Sequence, residues 1–427
     1  MYCNQCEETI KGGCTKIGVC GKNEDISSLQ DTIIFALKGI AAYAYHAKEL
    51  GYNDSEVDSF MHEALFHTLT NSNFNLQEHI NLAMKTGTMA IKAMELLDMA
   101  HTEVLGVPKP VEVEQDKIIG KSILVTGHDM FALKKLLEQT KDKGINIYTH
   151  SEMLPAHGYP ELKKFKHLQG NIGGAWHDQK KVFEEFPGAI LATTNCVMPI
   201  TSQKYKDRIF TYGIAGIEGI PKITGDDFSS LIKKAVSLPE ADIKSEKKLT
   251  TGFHHRPILE LAPKIIELVN EGKIKRFFVI AGCDGPEDSR EYFRELALKV
   301  PEDCIILTTS CGKFRFNDND FGNIEGIPRM IDLGQCNNSI SFIKIATALA
   351  DAFNCQVNDL PLTIVLSWFE QKAVAILLGL FSLNVKTIYL GPRAPKFLSE
   401  GVAKVLIDKF KLNLTTTVDQ DLPNMLR

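Results

Sequence analysis

Three short apolar segments between residues 277 and 336 each end at a cysteine. The segments 277–282, 305–310 and 330–335 lead into Cys283, Cys311 and Cys336. Runs rich in Val, Ile and Phe that alternate with helical patterns are typical of buried parallel strands. Ligands of an open α/β sheet bind beyond the carboxyl ends of its strands, so we expect the three thiols to converge there. Convergent thiols favour a metal site over disulfides in a chain without secretory features.

Composition narrows the class of protein. A length of 427 residues predicts about three domains. The formal net charge of −5 argues against a nucleic-acid partner. The N-terminus lacks a basic segment and an apolar segment, and the longest apolar stretch, from Ala373 to Leu383, is too short to span a membrane. We therefore expect a cytoplasmic protein whose ten cysteines are reduced, metal-bound or catalytic.

Four cysteines lie within the first twenty residues, and glycines separate them. They are Cys3, Cys6, Cys14 and Cys20. Short, uneven spacing of this kind allows a loop to wrap a compact cluster. Four thiolates suit an iron–sulfur cluster or a structural zinc ion, and the spacing alone leaves both open.

The pattern of apolar residues predicts a mixed α/β multidomain chain. Helical periodicity from Ile26 to His101 predicts an N-terminal three-helix bundle. The segment 106–116 has the composition of a linker. Two Rossmann-like α/β domains with parallel sheets are expected after it. The predicted domains are 1–110, with the cysteine loop and the bundle, then 117–225 and 226–427. A polar, partly helical connection is expected over 225–248.

The first predicted α/β domain also places metal-binding side chains after its strands. His128, Glu152 and Cys196 follow three predicted strands, and Glu370 follows a strand near the C-terminus. Each residue alone has a common structural explanation, such as a small buried thiol or a helix cap. Recurrence at the same end of several strands favours one shared polynuclear site. Thiolates suit iron and sulfide, whereas carboxylate and imidazole suit oxygen-bridged iron.

Other sequence motifs contribute little to the prediction of function. The glycine-rich segments lack the spacing of a dinucleotide fingerprint, and no Walker A pattern is present. Cys304 and Cys355 are expected to be structural. His157 and Lys372 lie near candidate ligands, where proton donation and a capping or surface role are both open.

Several motifs together resemble the hybrid cluster protein family, also called prismane proteins or hydroxylamine reductases. They are the four N-terminal cysteines, Gly127-His128-Asp129, Ser151-Glu152-Met153-Leu154-Pro155, Thr194-Asn195-Cys196, Gly282-Cys283-Asp284-Gly285, Cys311-Gly312-Lys313, Gly334-Gln335-Cys336 and Trp368-Phe369-Glu370-Gln371-Lys372. The resemblance runs almost the full length of the chain. Only one N-terminal bundle is visible where typical members have two, so the chain resembles the short class of the family.

The resemblance implies two metal centres. The N-terminal cysteines would hold a 4Fe-4S cluster. A hybrid iron–sulfur–oxygen cluster of the 4Fe-2O-2S type would be held by His128, Glu152, Cys196, Cys283, Cys311, Cys336 and Glu370. In the family the cysteine that matches Cys283 can carry an extra sulfur as a persulfide.

The resemblance also implies the activity, an oxidoreductase of the nitrosative stress response. Such an enzyme reduces hydroxylamine to ammonia and water, with nitric oxide to nitrous oxide as a second reaction. Its partners are a small nitrogen-oxide substrate and an external electron donor protein, without nucleic acid or membrane. The expected catalytic residues are Glu370, Lys372, His128 and Glu152. The alternatives are nitric oxide sensing or protein S-nitrosylation without turnover, a carbon monoxide dehydrogenase-like enzyme, and a structural zinc protein.

Overall fold

The computed structural model describes residues 3–427 and divides them into two compact units. One unit combines the residues up to Ala100 with Ala346–Arg427, and the other is His101–Ile345. We refer to them as the split unit and the central unit. Among residues 3–427 no helix combines the length and the apolar character that a membrane span requires.

The split unit begins with the cysteine loop and three helices. The helices are α1 (Glu24–Glu49), α2 (Ser55–His67) and α3 (Leu76–Leu105). The side chains of Asn23 and Asp54 accept hydrogen bonds from the first-turn N–H groups of α1 and α2, which fixes where these helices begin. Ile33, Leu37 and Ile40 recur at helical spacing on the buried face of α1.

The central unit contains a nine-stranded sheet. Its strands are β1 (Val111–Gln115), β2 (Ile118–Thr126), β3 (Ile145–His150), β4 (Leu168–Asn171), β5 (Ala189–Ala192), β6 (Ile209–Tyr212), β7 (Lys222–Ile223), β8 (Ala241–Ile243) and β9 (Lys248–Thr251). The order β7-β6-β5-β2-β3-β4-β1 is parallel throughout, while β9 pairs antiparallel with β1, and β8 with β2. The chain moves outward from β2 through β3 on one side and through β5 on the other. The boundary between β2 and β5 is therefore the topological switch point, where such sheets bind ligands.

Both faces of this sheet are covered by apolar side chains. Ile123 and Val125 of β2 belong to one buried cluster with Leu133 and Leu136. The alternate residue of the strand, Leu124, belongs to a cluster on the opposite face. Because successive side chains of a strand point to opposite faces, this continuous apolar run is the pattern of a strand buried on both sides.

Eight helices and five further strands complete the central unit up to the boundary at Ile345. The helices are α4 (Met130–Thr140), α5 (Pro160–Lys163), α6 (Gln179–Glu185), α7 (Ser229–Ser237), α8 (His255–Glu260), α9 (Ala262–Asn270), α10 (Glu291–Lys299) and α11 (Ile340–Ala352). The strands are β10 (Arg276–Gly282), β11 (Cys304–Thr308), β12 (Asn323–Ile324), β13 (Ile327–Pro328) and β14 (Met330–Asp332). Strand β11 lies between β10 and β14 and pairs parallel with both.

The C-terminal part of the split unit again alternates strand and helix. Its elements are β15 (Leu362–Ser367), α12 (Gln371–Ser382), β16 (Ile388–Gly391), α13 (Glu400–Phe410), β17 (Asn413–Leu414) and α14 (Val418–Met425). The three strands pair in parallel. Helix α12 packs closely on α1, where a Cβ at Gly39 would lie 2.8 Å from the Cβ of Ala375. A residue without a side chain at position 39 is therefore what permits this approach.

The prediction of a mixed α/β chain with parallel sheets is confirmed, and one local prediction is wrong. The predicted linker over 106–116 contains β1, which lies between β4 and β9 in the sheet. The predicted connection over 225–248 is partly helical as expected, since it contains α7, and Leu231, Ile232 and Ala235 of this helix are buried in the core. The division into three domains stays a prediction.

Candidate metal centre

Three predicted ligands follow neighbouring parallel strands of the large sheet. His128 follows β2, Glu152 follows β3 and Cys196 follows β5. Because β2 pairs with both β3 and β5, these residues emerge at one edge of the sheet, on either side of the switch point. Thr194 links the two sides, because its Oγ1 accepts a hydrogen bond from the His128 N–H at 2.8 Å and lies 2.9 Å from His128 Nδ1. A contact of this kind at one ring nitrogen is what orients an imidazole that binds metal through the other.

The remaining predicted ligands of the central unit follow the second set of strands. Cys283 follows β10, Cys311 follows β11, and Cys336 follows β14 after a short turn. All three cysteines are buried. The central unit therefore presents six candidate ligands, which we call the strand-end set: His128, Glu152, Cys196, Cys283, Cys311 and Cys336.

A left-handed backbone residue accompanies every member of the strand-end set. Their φ values are +112° at Gly127, +54° at Ser151, +65° at Cys196, +109° at Gly282, +69° at Ser310 and +109° at Gly334. Non-glycine residues adopt such angles at a cost of about 1–3 kcal/mol, and they concentrate at functional sites. Each turn redirects the chain just beyond its strand, and this is the local reason why the ligands face a common space.

Hydrogen bonds join the two sides of the strand-end set. Glu152 Oε2 accepts a hydrogen bond from the Cys336 N–H at 2.8 Å and lies 3.7 Å from His128 Nε2. One ligand atom from each of these three residues lies within 4.8 Å of the others, and all three residues are buried. Gln335 Nε2 also donates to the carbonyls of Glu152, at 2.6 Å, and His128, at 3.3 Å. Imidazole, carboxylate and thiol are thus gathered at distances that fit metal binding.

The electrostatics of Cys311 connect the remaining thiols to the same site. Burial raises the pKa of the Cys311 thiol well above its usual value, and the charges of Glu152, Cys283 and Cys196 raise this pKa further. Thiolates and carboxylates packed together in a buried space repel one another unless a cation lies between them. The donor set therefore fits a multinuclear iron centre, which would neutralise this charge.

The N-terminal cysteines form a second group. Cys3 and Cys14 pair across two backbone hydrogen bonds, with N–O distances of 3.2 and 2.8 Å. The Cys20 Sγ lies 3.9 Å from the carbonyl of Thr70. No disulfide joins any of the ten cysteines, all of which fall within residues 3–427. The backbone pairing of Cys3 with Cys14 closes the loop that carries Cys6, and a cluster shared by all four thiols stays a prediction.

Glu370 and Lys372 lie in the split unit, at the start of α12. The Glu370 side chain caps this helix by accepting a hydrogen bond from the Lys372 N–H at 3.1 Å. Lys372 is buried. The burial of His46, together with the positive charge of Lys372, lowers the pKa of His46 to about 3. The common structural explanation for a glutamate after a strand, a helix cap, therefore holds for Glu370. Its place as a seventh ligand stays a prediction.

His157 is a weaker candidate for proton delivery than its position in the sequence indicated. Its Nε2 lies 2.9 Å from Thr149 Oγ1, and burial lowers its pKa to about 4. An imidazole with this pKa is neutral at pH 7 and lacks the acidic proton of an imidazolium, which makes it a poor proton donor. The structure instead reveals a charged group near the thiols, formed by His177, Asp284 and Arg315. Only Asp284, directly after Cys283, had a signal in the sequence.

Comparison with known proteins decides the family. The model of the Prismane/CO dehydrogenase family matches residues 1–81 and 46–423. The chain belongs to this family. A hydroxylamine reductase of Moorella thermoacetica is 59% identical over 427 residues, with 100% of both chains covered. A hydroxylamine reductase of Thermotoga maritima is 51% identical, with 100% of this chain and 99% of that protein covered.

Other similar proteins differ from this chain in length or in sequence. A hydroxylamine reductase of Geobacter metallireducens is 40% identical in an alignment of 542 positions that covers 99% of this chain and 98% of that protein. It therefore carries segments that this chain of 427 residues lacks. The solved structure of carbon monoxide dehydrogenase IV from Carboxydothermus hydrogenoformans has a TM-score of 0.81 at 14% identity, covering 100% of this chain and 91% of that one. This likeness shows a shared fold.

Proposed function

We propose that this protein is a hydroxylamine reductase, an iron–sulfur oxidoreductase that converts hydroxylamine to ammonia and water. The observation that carries the proposal is the buried meeting of His128, Glu152 and Cys336. The charge of the same carboxylate also acts on the Cys311 thiol. Relatives named hydroxylamine reductase at 40–59% identity over nearly the whole chain support it. Among the family's activities this one fits a site that mixes thiolates with oxygen and nitrogen ligands.

The proposed cofactors are two clusters with different tasks. Cys3, Cys6, Cys14 and Cys20 would hold a 4Fe-4S cluster that receives electrons from an external donor protein. The strand-end set, with Glu370 as a seventh ligand, would hold a hybrid 4Fe-2O-2S cluster. When bound, the hybrid cluster supplies an iron that acts as Lewis acid and electron source. A persulfide at Cys283 is part of the same proposal.

The protein's own residues supply orientation and protons. The reaction consumes two electrons and two protons for each hydroxylamine, and breaks the N–O bond. The Glu152 carboxylate accepts a hydrogen bond from the Cys336 N–H and faces the His128 imidazole. These contacts would orient Glu152 and His128 as two adjacent ligands of the cluster. The Lys372 side chain is buried, and its backbone N–H donates to Glu370; we assign its Nζ the delivery of a proton to the leaving oxygen.

The type of helical bundle and the type of α/β domain are also part of the proposal. We infer a three-helix bundle from α1, α2 and α3, and Rossmann-like domains from the alternation of strand and helix in the rest of the chain. The absence of the longer relatives' additional segments fits the short class of the family. The cytoplasmic location and the conversion of nitric oxide to nitrous oxide stay predictions.

The test is an anaerobic assay of hydroxylamine reduction with a strong chemical reductant, measuring ammonia formed. The wild-type protein should turn over, and Glu370→Gln should lose at least tenfold in kcat because the amide is a weaker metal ligand than the carboxylate. Glu400→Gln, at an exposed position in the first turn of α13, is the matched control and should retain full activity. A wild-type protein that binds nitric oxide but forms no ammonia would contradict the proposal and favour a sensor.

A further inference from the structure

Asp284, directly after the proposed ligand Cys283, is held by neighbours at both carboxylate oxygens and at its carbonyl. Its Oδ1 accepts hydrogen bonds from Arg315 Nε and the Gly285 N–H, both at 2.8 Å. Its Oδ2 lies 3.2 Å from His177 Nε2, and its carbonyl accepts from Trp176 Nε1 at 3.0 Å. The residue is buried, so water does not compete for these contacts. The orientation of this peptide is therefore determined from three directions.

The remaining polar atom of Asp284 points at a proposed metal ligand. Its N–H donates a hydrogen bond to Cys311 Sγ, with an N–S distance of 3.2 Å. A hydrogen bond to a cluster thiolate withdraws electron density from sulfur and so stabilises the reduced state of the cluster. Side chains that fix the position of the Asp284 peptide therefore influence the reduction potential of the centre.

His177 brings positive charge to this peptide. Its two ring nitrogens lie 3.3 Å from Asp178 Oδ1 and 3.2 Å from Asp284 Oδ2. Hydrogen bonds to these carboxylates raise the pKa of His177 to about 9, so the imidazole is a cation at pH 7. The charged and titratable groups around it are Asp178, Asp284, Arg315, Glu291, which pairs with Arg315, and the buried His150.

We propose that His177 is a positioning residue for the centre held by the strand-end set. Together with Arg315 it clamps the Asp284 carboxylate, keeps the Asp284 N–H on the Cys311 sulfur and places a cation beside the thiolates. The consequence is a higher reduction potential of the centre, which eases electron transfer to it from the N-terminal cluster. This inference rests on the proposed function, since it takes Cys283 and Cys311 as ligands.

The first test compares variants at position 177 in the anaerobically purified holoprotein. His177→Leu removes both the charge and the hydrogen bond, while His177→Gln keeps a donor for Asp284 and removes only the charge. Redox titration followed by electron paramagnetic resonance gives the potential of each cluster. We expect His177→Leu to shift the ratio of reduced to oxidised centre at least tenfold toward oxidised, which is about 59 mV for a one-electron couple. His177→Gln should shift it in the same direction by less.

Two controls separate this effect from general damage. The N-terminal 4Fe-4S cluster in the same sample should keep its potential. His62→Gln, at an exposed position on α2, should leave both potentials unchanged. If the His177→Leu protein loses its iron on purification, the reduction potential measured for His177→Gln tests the inference.

The second test is the pH dependence of the same potential. In the wild-type protein the cation is lost as pH rises through about 9, so the potential of the centre should fall there. In His177→Gln this alkaline step should be absent. Unchanged potentials in both variants, or an alkaline step that persists in His177→Gln, would overturn the inference. A wild-type protein without iron–sulfur signals would instead overturn the proposed function.

Discussion

Lys313 is a fully buried cation two residues beyond Cys311. Its Nζ donates hydrogen bonds to Asp332 Oδ1 at 2.7 Å and to the Gly334 carbonyl at 2.9 Å. Both side chains of this ion pair have zero exposure. The pair joins the turn after β11 to the end of β14, so it fixes the distance between the segments that carry Cys311 and Cys336.

Removing one partner of this pair should be costly. Lys313→Met leaves the Asp332 carboxylate buried without its counter-ion, which costs about 3–5 kcal/mol. We expect a lower urea midpoint for the holoprotein, measured by circular dichroism. The double variant Lys313→Met with Asp332→Asn carries no buried charge and should recover most of the loss.

The exposed pair of Lys204 and Glu184 provides the control for this experiment. Lys204→Met removes a cation of the same kind from the surface, where ion pairs contribute little. Its urea midpoint should stay close to that of the wild-type protein. A decrease in Lys204→Met as large as that in Lys313→Met would show that burial of the charge is not the cause.

At the residue scale the sequence indicated candidate ligands more clearly than it indicated the residues that support them. Cys283, Cys311 and Cys336 were recognisable because a thiol directly after a buried strand combines a position and a chemistry. Lys313 and His177 have no such signal, since a lysine or histidine in a turn is usually solvated. Their roles depend on Asp332 and Asp284, which are distant in sequence and meet them only through folding.

At the scale of elements, the turn between β2 and α4 shows how a strand end positions a ligand. Gly127 has φ +112°, and a Cβ there would lie 2.4 Å from Thr193 Oγ1 and 2.7 Å from Thr194 Oγ1. The same Thr194 hydroxyl contacts the backbone and the ring of His128. A side chain at position 127 would therefore displace the group that orients the imidazole.

Gly127→Ala should consequently affect both stability and metal binding. We expect a loss of about 1–3 kcal/mol from backbone strain alone, with a further loss from the steric conflict. Iron content, measured after anaerobic purification, should fall as well. Gly144→Ala is the matched control, because Gly144 has φ +67° and no atom within 4 Å of the added Cβ. It should lose stability through strain and keep its iron; equal iron loss in both variants would contradict the role of Thr194.

Elements were predictable where their pattern was local. The strands β2 and β3 and the helix α4 follow from apolar runs and helical spacing in the sequence. The strand β1 was predicted as a linker, since Pro and Gly precede it and its residues alternate with charged ones. It becomes a strand through pairing with β4 and β9, which lie far away in sequence.

At the scale of the whole molecule, the cysteines fall into two groups with different surroundings. The N-terminal group lies on a loop of the split unit, and the strand-end set lies within the central unit. The sequence predicted both groups, and the family match covers both. The division into compact units was not predictable, because it joins residues up to Ala100 with the C-terminal part of the chain.

Quantitation of iron, acid-labile sulfide and zinc in the anaerobically purified protein tests the central claim most directly. A 4Fe-4S cluster together with a hybrid cluster that has oxygen bridges predicts iron in excess of sulfide, with no zinc. Cys311→Ser should lower the iron content and bring the ratio of iron to sulfide close to one, since the N-terminal cluster would remain. Stoichiometric zinc without acid-labile sulfide in the wild-type protein would contradict the account.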